Sequence, residues 1–426
     1  MSPGEATTSP REATTSPAGP RIYWLTTEFY PPETGGTGMI AARLAHGLGE
    51  RGLGVQIITR QVLPPSARSE SIGTIQVRRV DPPGRMKGAG WRAVPAMLSF
   101  IVRVAAILCL ETRRYDIVMV SGMKTLPITA VPVSRLLGKR CVIRVESPFE
   151  LVEPISAESL QMMHGMLGRC MSGLLRRMQQ AVLRRATCVI AISQDIEERL
   201  AQSKHPPARI VRIPNAVDLS KFTPVTEEQK ARLRDRLGYP AGRTIVLYVG
   251  RLSRAKGVMN LIEGWPELMR KFPSAHLVMV GSGKGSWDDC EADILEYLRV
   301  HRLESHITMA GHSDAVNEHL QAADLFVSPS DYEGFSLTLV EALGCGIPVV
   351  STAVGAAPEF IRTGENGFLC EPRDRRSLSA ALELALQQQE DWPGIRRRAR
   401  ETAEAFDVPR VVDQYVTLLR DLAPPS

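Results

Sequence analysis

The chain of 426 residues is long enough for two or three domains, and its 44% hydrophobic and 23% charged content is ordinary for a soluble globular protein. The net charge of +6 suits a partner that carries phosphates or an anionic membrane surface. Nucleic acid is disfavoured, because aromatic residues make up only 5% of the chain and no basic block is interleaved with them.

The cysteines and the first residues bear on where the protein works. Seven scattered cysteines without a CxxC pair argue against a disulfide framework or a zinc site and favour a reducing compartment. Residues 1–19 contain "EATTSP" twice, which predicts a disordered tail, and they lack the pattern of a secretory signal. We therefore expect a cytoplasmic protein, with association at the cytoplasmic face of a membrane as the alternative.

Short apolar runs that alternate with helical patterns predict buried strands through most of the chain. In the first half these runs are residues 21–29, 55–60, 116–122, 141–145 and 188–193. In the second half they are residues 244–250, 276–281, 307–311, 324–330 and 347–352. Two such series predict an α/β protein with two doubly wound parallel sheets. The polar run at 213–230 separates them, and we place the domain boundary near residue 220, with the ligand site in the cleft between the domains.

Two segments are candidates for membrane contact. Residues 93–110 are apolar but contain Pro95 and Arg103, and a central arginine costs about 2.5–3.5 kcal/mol on insertion scales. We expect a helix that covers the first sheet, with a membrane-surface helix as the alternative. The second segment, 162–186, forms either a solvated face or a surface for anionic lipid. Its arginines on one helical face are Arg169, Arg176, Arg177, Arg184 and Arg185.

Two glycine-rich turns follow predicted strands. In "ETGGTG" (33–38), Gly35 and Gly36 precede a helix and let the backbone approach a ligand closely. "GSGKGS" (281–286) matches neither a dinucleotide-binding fingerprint nor a Walker loop, because the spacing of its glycines differs from both. The first turn is thus the stronger candidate for ligand binding.

A third turn, "GRLSRAKG" (250–257), joins a strand to a helix that starts near Val258. It brings Arg251 and Lys256 into one short loop at the carboxyl edge of a sheet. Two cations beside helix-terminal amides form a receptor for a diphosphate, and the alternative is a pair of solvated charges. Arg254 lies between them and is expected to be solvated.

The stretch "EGFSLTLVE" (333–341) carries two acids, which could be a catalytic pair, a metal site or surface charge. Glu333 falls in a loop beyond a strand, whereas Glu341 falls within the following helix, which is expected to end near Gly344. Such a pair does not match the facing carboxylates of a glycosidase, and hydrogen bonds to separate hydroxyls of one extended ligand fit better. The helix-start amides that could hold the anionic middle of that ligand belong to Phe335, Ser336, Leu337 and Thr338.

These motifs together resemble the retaining glycosyltransferases of the GT-B fold, most closely glycosyltransferase family 4. Residues 333–341 are similar to the E-x7-E motif of that family, and the resemblance extends from about residue 21 to 420. Other stretches that carry it are "EFYPPETGGTG", "RATCVIAIS", "IPNAVDLSKFTP", "LYVGRLSRAKGV", "LVMVGSGKG" and "GENGFLCEP". The combination is far more specific than any of the motifs alone.

The resemblance implies a nucleotide-diphosphate sugar as donor, bound mainly by the second domain. Arg251 and Lys256 match the diphosphate-binding pair of the family. Glu333 matches the acid that contacts the transferred sugar, and these three residues are the expected catalytic groups. Glu341 matches the acid that binds the nucleotide ribose. The reaction is expected to retain anomeric configuration by front-face attack, without a metal ion or other cofactor.

The resemblance also implies the domain division. Residues 1–19 are the tail, 20–219 the acceptor-side domain and 220–407 the donor-binding domain, and a helix in 408–426 returns to the first domain. Gly35 and Gly36 match the turn that closes over the donor.

The acceptor side departs from the family pattern. Many relatives carry a histidine beyond a first-domain strand, whereas Glu146 stands at one such strand end here, either to orient an acceptor hydroxyl or to cap a turn. The donor is expected to carry UDP in preference to GDP, and the acceptor to be lipid-linked, a polysaccharide or a small molecule. Alternative functions are a GT-B sugar-nucleotide epimerase and an inactive nucleotide-sugar-binding protein.

Overall fold

The computed structural model describes residues 19–27, 36–60, 69–80, 94–123, 125–152, 177–286 and 288–424. Residues 1–18 of the predicted tail lie outside this part of the chain, and so do Gly35, Arg169 and Arg176. The description that follows concerns the described residues.

The first sheet has eight strands, of which five were expected from apolar runs. In chain order they are β1 (Arg21–Leu25), β2 (Gly54–Arg60), β3 (Ser69–Ile72), β4 (Ile75–Val80), β5 (Ile117–Ser121), β6 (Arg140–Val145), β7 (Cys188–Ala191) and β8 (Ile210–Arg212). They lie in the order β3-β4-β2-β1-β5-β6-β7-β8, and all pair in parallel except β3 with β4. The sheet is therefore the expected doubly wound parallel one with an antiparallel edge.

Helices connect these strands. They are α1 (Gly36–Glu50), α2 (Val94–Leu110), α3 (Leu126–Leu136), α4 (Phe149–Val152) and α5 (Gln194–Ala201), and residues 177–185 are also helical. Within the described residues, helix α1 includes Gly36 of the glycine-rich turn, and its amphipathic pattern supplies its buried face.

The second sheet has six strands and is entirely parallel. They are β9 (Thr244–Val249), β10 (Ala275–Val280), β11 (Ile307–Gly311), β12 (Leu325–Ser328), β13 (Val349–Thr352) and β14 (Phe368–Cys370), in the order β11-β10-β9-β12-β13-β14. The α/β class with two doubly wound sheets is confirmed. The strand order reverses between β9 and β12, which is where ligands of such sheets bind.

The remaining helices belong to the second half of the chain. They are α6 (Glu227–Leu237), α7 (Val258–Lys271), α8 (Glu291–His301), α9 (Val316–Ala322), α10 (Leu337–Gly344), α11 (Ala357–Phe360), α12 (Arg375–Gln387), α13 (Trp392–Ala403) and α14 (Val408–Leu422). Helix α6 has a complete capping box, in which the side chains of Thr226 and Gln229 each accept a backbone N–H, and Gly238 ends it in the left-handed conformation. Helix α10 ends at Gly344 as expected.

The C-terminal helix α14 joins the core of the first half of the chain. Val412, Tyr415 and Leu419 are buried with α1 and β1, and Arg51, directly after α1, pairs with Asp413 at 3.0 Å. Complete burial of a large apolar side chain contributes about 1.5–3 kcal/mol, so this packing holds the chain's last helix firmly against α1.

The apolar segment 93–110 forms α2, which packs on α3 and β4. Among the described residues, no helix combines the length and apolarity that crossing a membrane requires.

Candidate functional site

A cavity of about 1670 Å³ lies between the carboxyl ends of the two sheets. The first sheet contributes the residues after β6 and the start of α1, and the second contributes the loops after β9, β10 and β12. The predicted site residues that line it are Gly36, Glu146, Arg251, Lys256, Glu333, Phe335, Ser336, Leu337 and Thr338. Glu341 does not belong to this lining, and Gly35 lies outside the described residues.

The loop from β9 to α7 holds the two predicted diphosphate cations. A short 3-10 turn at Arg254–Lys256 leads into Gly257, which adopts a φ of 65°. A Cβ atom on Gly257 would lie 1.8 Å from the carbonyl oxygen of Pro329, so only glycine lets this loop press against the end of β12. The result is that the β9 and β12 loops form one continuous cavity wall.

Lys256 and Glu333 meet on that wall. The ammonium of Lys256 donates a hydrogen bond to Glu333 Oε1, and Ser330 Oγ approaches the same oxygen at 3.4 Å. Both side chains keep about a fifth of their surface exposed, 21% for Lys256 and 19% for Glu333. Their charges are therefore held in place while they remain accessible to a ligand in the cavity.

The other two cations of the loop are exposed. Arg251 lines the cavity, and its carbonyl oxygen accepts a hydrogen bond of 2.6 Å from the buried Tyr248 hydroxyl. Arg254 also lines the cavity, and it pairs with the exposed Asp293 of α8 at 2.5 Å. Arg251 and Lys256 therefore face the cavity together with a third cation of the same loop.

The N-terminus of α10 points its backbone amides at the same cavity. Ser336 is the N-cap, and its side chain makes no capping hydrogen bond to the first turn. Amides at such a terminus, together with the helix dipole, favour an anion. Phe335 is buried just before it, edge-on to Phe406 with ring centroids 5.5 Å apart, and this contact fixes the start of the helix.

Glu341 lies one helical turn beyond Thr338, behind the cavity wall. It is only 6% exposed, and its nearest cation is Arg43 of α1, with 3.9 Å between Nη2 and Oε1. Burial raises the pKa of Glu341 to about 7, although Arg43 favours the ionised form. The two acids of the motif therefore have different surroundings.

Gly334 permits the close approach of the two halves of the cleft, whereas a Cβ atom at Gly36 would make only an ordinary van der Waals contact. A Cβ atom on Gly334 would lie 2.3 Å from the carbonyl oxygen of Glu146, and one on Gly36 would lie 3.6 Å from Leu337 Cδ1. Backbone from the first half thus directly abuts the motif that carries Glu333. A larger residue at 334 would have to push the two halves apart.

Sequence reasoning missed a buried arginine beneath Glu146. Arg144 is fully buried and donates to Glu146, to Asn215 and, at 3.0 Å, to the Tyr415 hydroxyl of α14. Burial would lower the pKa of this guanidinium, but its partners keep the pKa above the ordinary value. The sequence signal was a single arginine inside the apolar strand "CVIRV", and its partners are distant along the chain.

The glycine-rich turn after β10 is occupied by the protein's own carboxylate. Ser282 Oγ and the Gly283 amide donate to Glu291 Oε2 at 2.7 and 2.8 Å, and these bonds, led by that of the amide, lower the pKa of Glu291. The turn therefore already binds an anion, which agrees with the weak match of this segment to nucleotide-binding fingerprints.

A smaller cavity of about 540 Å³ adjoins the first. It shares Tyr332 and Glu333 with the larger cavity and is otherwise lined by residues of α5 and of the segment after β13. Glu359 is part of this lining and accepts a hydrogen bond from the Gln194 amide at 2.5 Å. Glu333 therefore lines both cavities.

Across the described ranges, no group of three or more His, Cys, Asp or Glu side chains is arranged to hold a metal ion.

Comparison with known proteins shows which protein families the two halves of the chain match. Residues 35–216 match the family model described as "Glycosyl transferase 4-like domain", and residues 229–405 match "Glycosyl transferases group 1". The chain is 28% identical over 412 residues to a D-inositol 3-phosphate glycosyltransferase of Geodermatophilus obscurus, covering 90% of this chain and 84% of the relative. It spans only between 53% and 59% of several other curated relatives.

Two solved structures have a fold similar to that of this chain. Sucrose-phosphate synthase from Thermosynechococcus elongatus has a TM-score of 0.77 and 24% identity, over 95% of this chain and 99% of that one. Anabaena Alr3699/HepE in complex with UDP-glucose has a TM-score of 0.73 and 20% identity, over 94% of this chain and 100% of that one. These likenesses show the GT-B fold of two facing parallel-sheet domains. Residues 229–405 belong to the glycosyl transferases group 1 family, and residues 35–216 to the glycosyl transferase 4-like domain family.

Proposed function

We propose that the protein is a retaining hexosyltransferase that uses a nucleotide-diphosphate sugar. The observation that carries this proposal is the contact between Lys256 and Glu333 in the interdomain cavity, next to the N-terminus of α10. An anionic diphosphate at Lys256 places its attached sugar beside Glu333. The same contact therefore brings together the groups needed for the leaving group and for the transferred ring.

The diphosphate is proposed to lie between Arg251, Lys256 and the amides of residues 335–338. These groups offset the negative charge of the diphosphate without a metal ion. Their interaction with the leaving phosphate strengthens as negative charge grows on it in the transition state. We expect full activity in EDTA. Loss of activity that Mg²⁺ or Mn²⁺ restored would contradict this role of the protein's own cations.

Glu333 is proposed to hold hydroxyls of the transferred sugar, and Glu341 to bind the nucleotide ribose. Because Glu341 lies behind the cavity wall and against Arg43, ribose contact requires α1 to move relative to α10. Gly35 and Gly36 would take part in that movement, since Gly36 is the first residue of α1 and Gly35 directly precedes it in the sequence.

Retention of configuration is proposed to follow from attack on the face that the diphosphate leaves. The departing phosphate oxygen takes the proton of the acceptor hydroxyl, so the protein supplies no separate general base. Glu146, held by Arg144, is proposed to orient that hydroxyl. The product's anomeric configuration, read by NMR, tests this step.

UDP is the proposed nucleotide. Support comes from the solved structure of Alr3699/HepE, which holds UDP-glucose. The acceptor class stays open between a lipid-linked sugar, a polysaccharide and a small molecule, and the relatives named above act on different acceptors. A cytoplasmic location remains a prediction.

A donor panel tests the proposal. UDP- and GDP-sugars are added to the full chain and the melting temperature is measured, since a ligand at about 100 times its Kd adds about 2.7 kcal/mol of stability. The stabilising donor is then followed by chromatography with and without acceptors. A transferase forms a glycosylated acceptor, an epimerase releases nucleotide and an altered sugar without one, and an inactive binding protein leaves the donor intact.

A further inference from the structure

Helix α2 presents an apolar face to solvent. Leu98 is 52% exposed, Val102 64% and Leu110 85%, and the exposed positions Ala106 and Cys109 continue the same stripe at helical spacing. The exposed side of a surface helix normally carries polar and charged residues. Here only Arg103 interrupts the apolar stripe, at its edge.

Helix α3 extends this surface. It packs against α2, and its Leu136 is 84% exposed. We call the surface formed by Leu98, Val102, Leu110 and Leu136 the α2–α3 face. Four of the nine large hydrophobic residues that are exposed in the described part of the chain belong to it. Isolated apolar residues on a surface need no explanation, but a contiguous group on two packed helices indicates a partner.

The charges around the α2–α3 face are basic. The exposed arginines of these helices and their flanks are Arg103, Arg113, Arg114, Arg135 and Arg140. Arg135 reaches the carbonyl oxygen of Arg185 at 3.5 Å, so the exposed Arg184 and Arg185 at the end of the predicted basic helix lie beside α3. The end of the predicted basic segment 162–186 thus lies beside α3, the helix that packs on α2.

Acidic groups offset these cations only in part, since Glu111 Oε2 lies 3.9 Å from Arg114 Nη1. Between residues 94 and 140 the sequence has only two acids, Glu111 and Asp116. Glu111 accepts hydrogen bonds from Tyr23 and Arg78, and Asp116 from Arg21. Both carboxylates are therefore already engaged by groups of the first sheet.

We propose that the α2–α3 face docks on an anionic bilayer surface. Its leucines and valine would enter the boundary between headgroups and acyl chains, while the long arginine side chains would reach lipid phosphates. This chemistry fits an anionic bilayer better than a second copy of the chain, because two copies of a basic face repel each other. The inference goes beyond the proposed function and stands independently of the donor and the acceptor.

The test is sedimentation of the full chain with vesicles of phosphatidylcholine, with and without phosphatidylglycerol. We expect binding to the anionic vesicles that salt weakens. The double variant Leu98→Gln/Val102→Gln should bind at least tenfold more weakly, and Arg135→Gln/Arg184→Gln roughly tenfold or more, since each cation near the surface contributes about 1 kcal/mol. Equal, negligible sedimentation with both kinds of vesicle would overturn the proposal.

A matched control is available in the second domain. Leu295 and Val300 of α8 are 50% and 61% exposed, and Leu295→Gln/Val300→Gln should leave vesicle binding unchanged. Melting temperatures of all variants check that they fold. Equal weakening by both apolar double variants would overturn the assignment to the α2–α3 face. So would light scattering that showed a dimer, if Leu98→Gln/Val102→Gln dissociated it without changing vesicle binding.

Discussion

The two ends of the "EGFSLTLVE" segment differ more than their identical acids suggest. Glu333 contacts Lys256 on an open cavity wall, within one half of the molecule. Glu341 is buried and faces Arg43 from the other half at 3.9 Å, and its pKa is raised to about 7. The first acid is held ready for a ligand, whereas the second depends on how α1 and α10 are placed relative to each other.

The difference shows what burial does to one chemical group. Glu333 has a hydrogen-bonded cation and some exposure to solvent. Glu341 is enclosed, so its ionised form depends on the more distant Arg43 and on the pH. Donor binding by Glu341 should therefore depend on how α1 and α10 are placed, while the role of Glu333 should depend mainly on its contact with Lys256.

The largest effect is expected for the partner of Glu333. Lys256→Ala should lower kcat about 10²–10³-fold, the scale seen when one group that stabilises developing negative charge is removed. Steady-state kinetics with the sugar nucleotide measure it. Lys271→Ala is the matched control, since this lysine lies outside the cavity lining and pairs with Glu383 at 2.7 Å, and its kcat should stay near that of the wild type. Equal losses in both variants would show a general charge effect instead.

Burial of Glu341 should make the free energy of unfolding depend on pH. A folded-state pKa near 7, against an ordinary 4.5, means that the folded protein binds more protons than the unfolded chain between these values. The free energy of unfolding should therefore fall as pH rises from 4.5 to 7, by at most about 3 kcal/mol. Urea unfolding across this range should show Glu341→Gln gaining stability over the wild type as pH rises. A constant difference between the two would contradict the raised pKa.

Substitution of the two acids should affect different quantities, namely nucleotide binding for Glu341 and turnover for Glu333. A hydrogen bond to a charged group contributes about 1.5–3 kcal/mol. Glu341→Ala should therefore weaken UDP and the whole donor roughly 10–150-fold, as measured by calorimetry. Glu333→Ala should leave UDP binding nearly intact and lower turnover of the sugar nucleotide instead. The opposite pattern would exchange the roles assigned to the two acids.

The smallest effect is expected at Arg43. Arg43→Met removes the cation that faces Glu341, so the pKa of Glu341 should rise further above its ordinary value. A long ion pair without a hydrogen bond contributes little, and we expect about 1 kcal/mol. In the same urea series, the fall in stability should extend to higher pH than in the wild type. An unchanged profile would mean that Arg43 does not act on Glu341.

The strands show how much of the fold can be predicted from the sequence. Long apolar runs predicted ten strands and the α/β class, because a strand buried on both faces needs a continuous apolar run. Strands β3, β4, β8 and β14 were missed. The residues "SESI" of β3 alternate with polar positions at a sheet edge, and β8 and β14 have only three residues each, so their periodicity is too short to be recognised.

The local part of the site was determined by the sequence alone. A strand followed by "GRLSRAKG" places two cations at a sheet edge, and the loop before α10 places Glu333 beyond β12, because chain connectivity fixes these positions over a few residues. Only the tertiary structure decided which residues from other parts of the chain lie opposite these local groups. Arg43 faces Glu341, Arg144 joins Asn215 and Tyr415, and Leu136 adjoins α2, and each contact joins segments that are distant in sequence or on separate helices. Such contacts depend on how helices and strands pack against each other, and this packing cannot be predicted from the spacing of residues in the sequence.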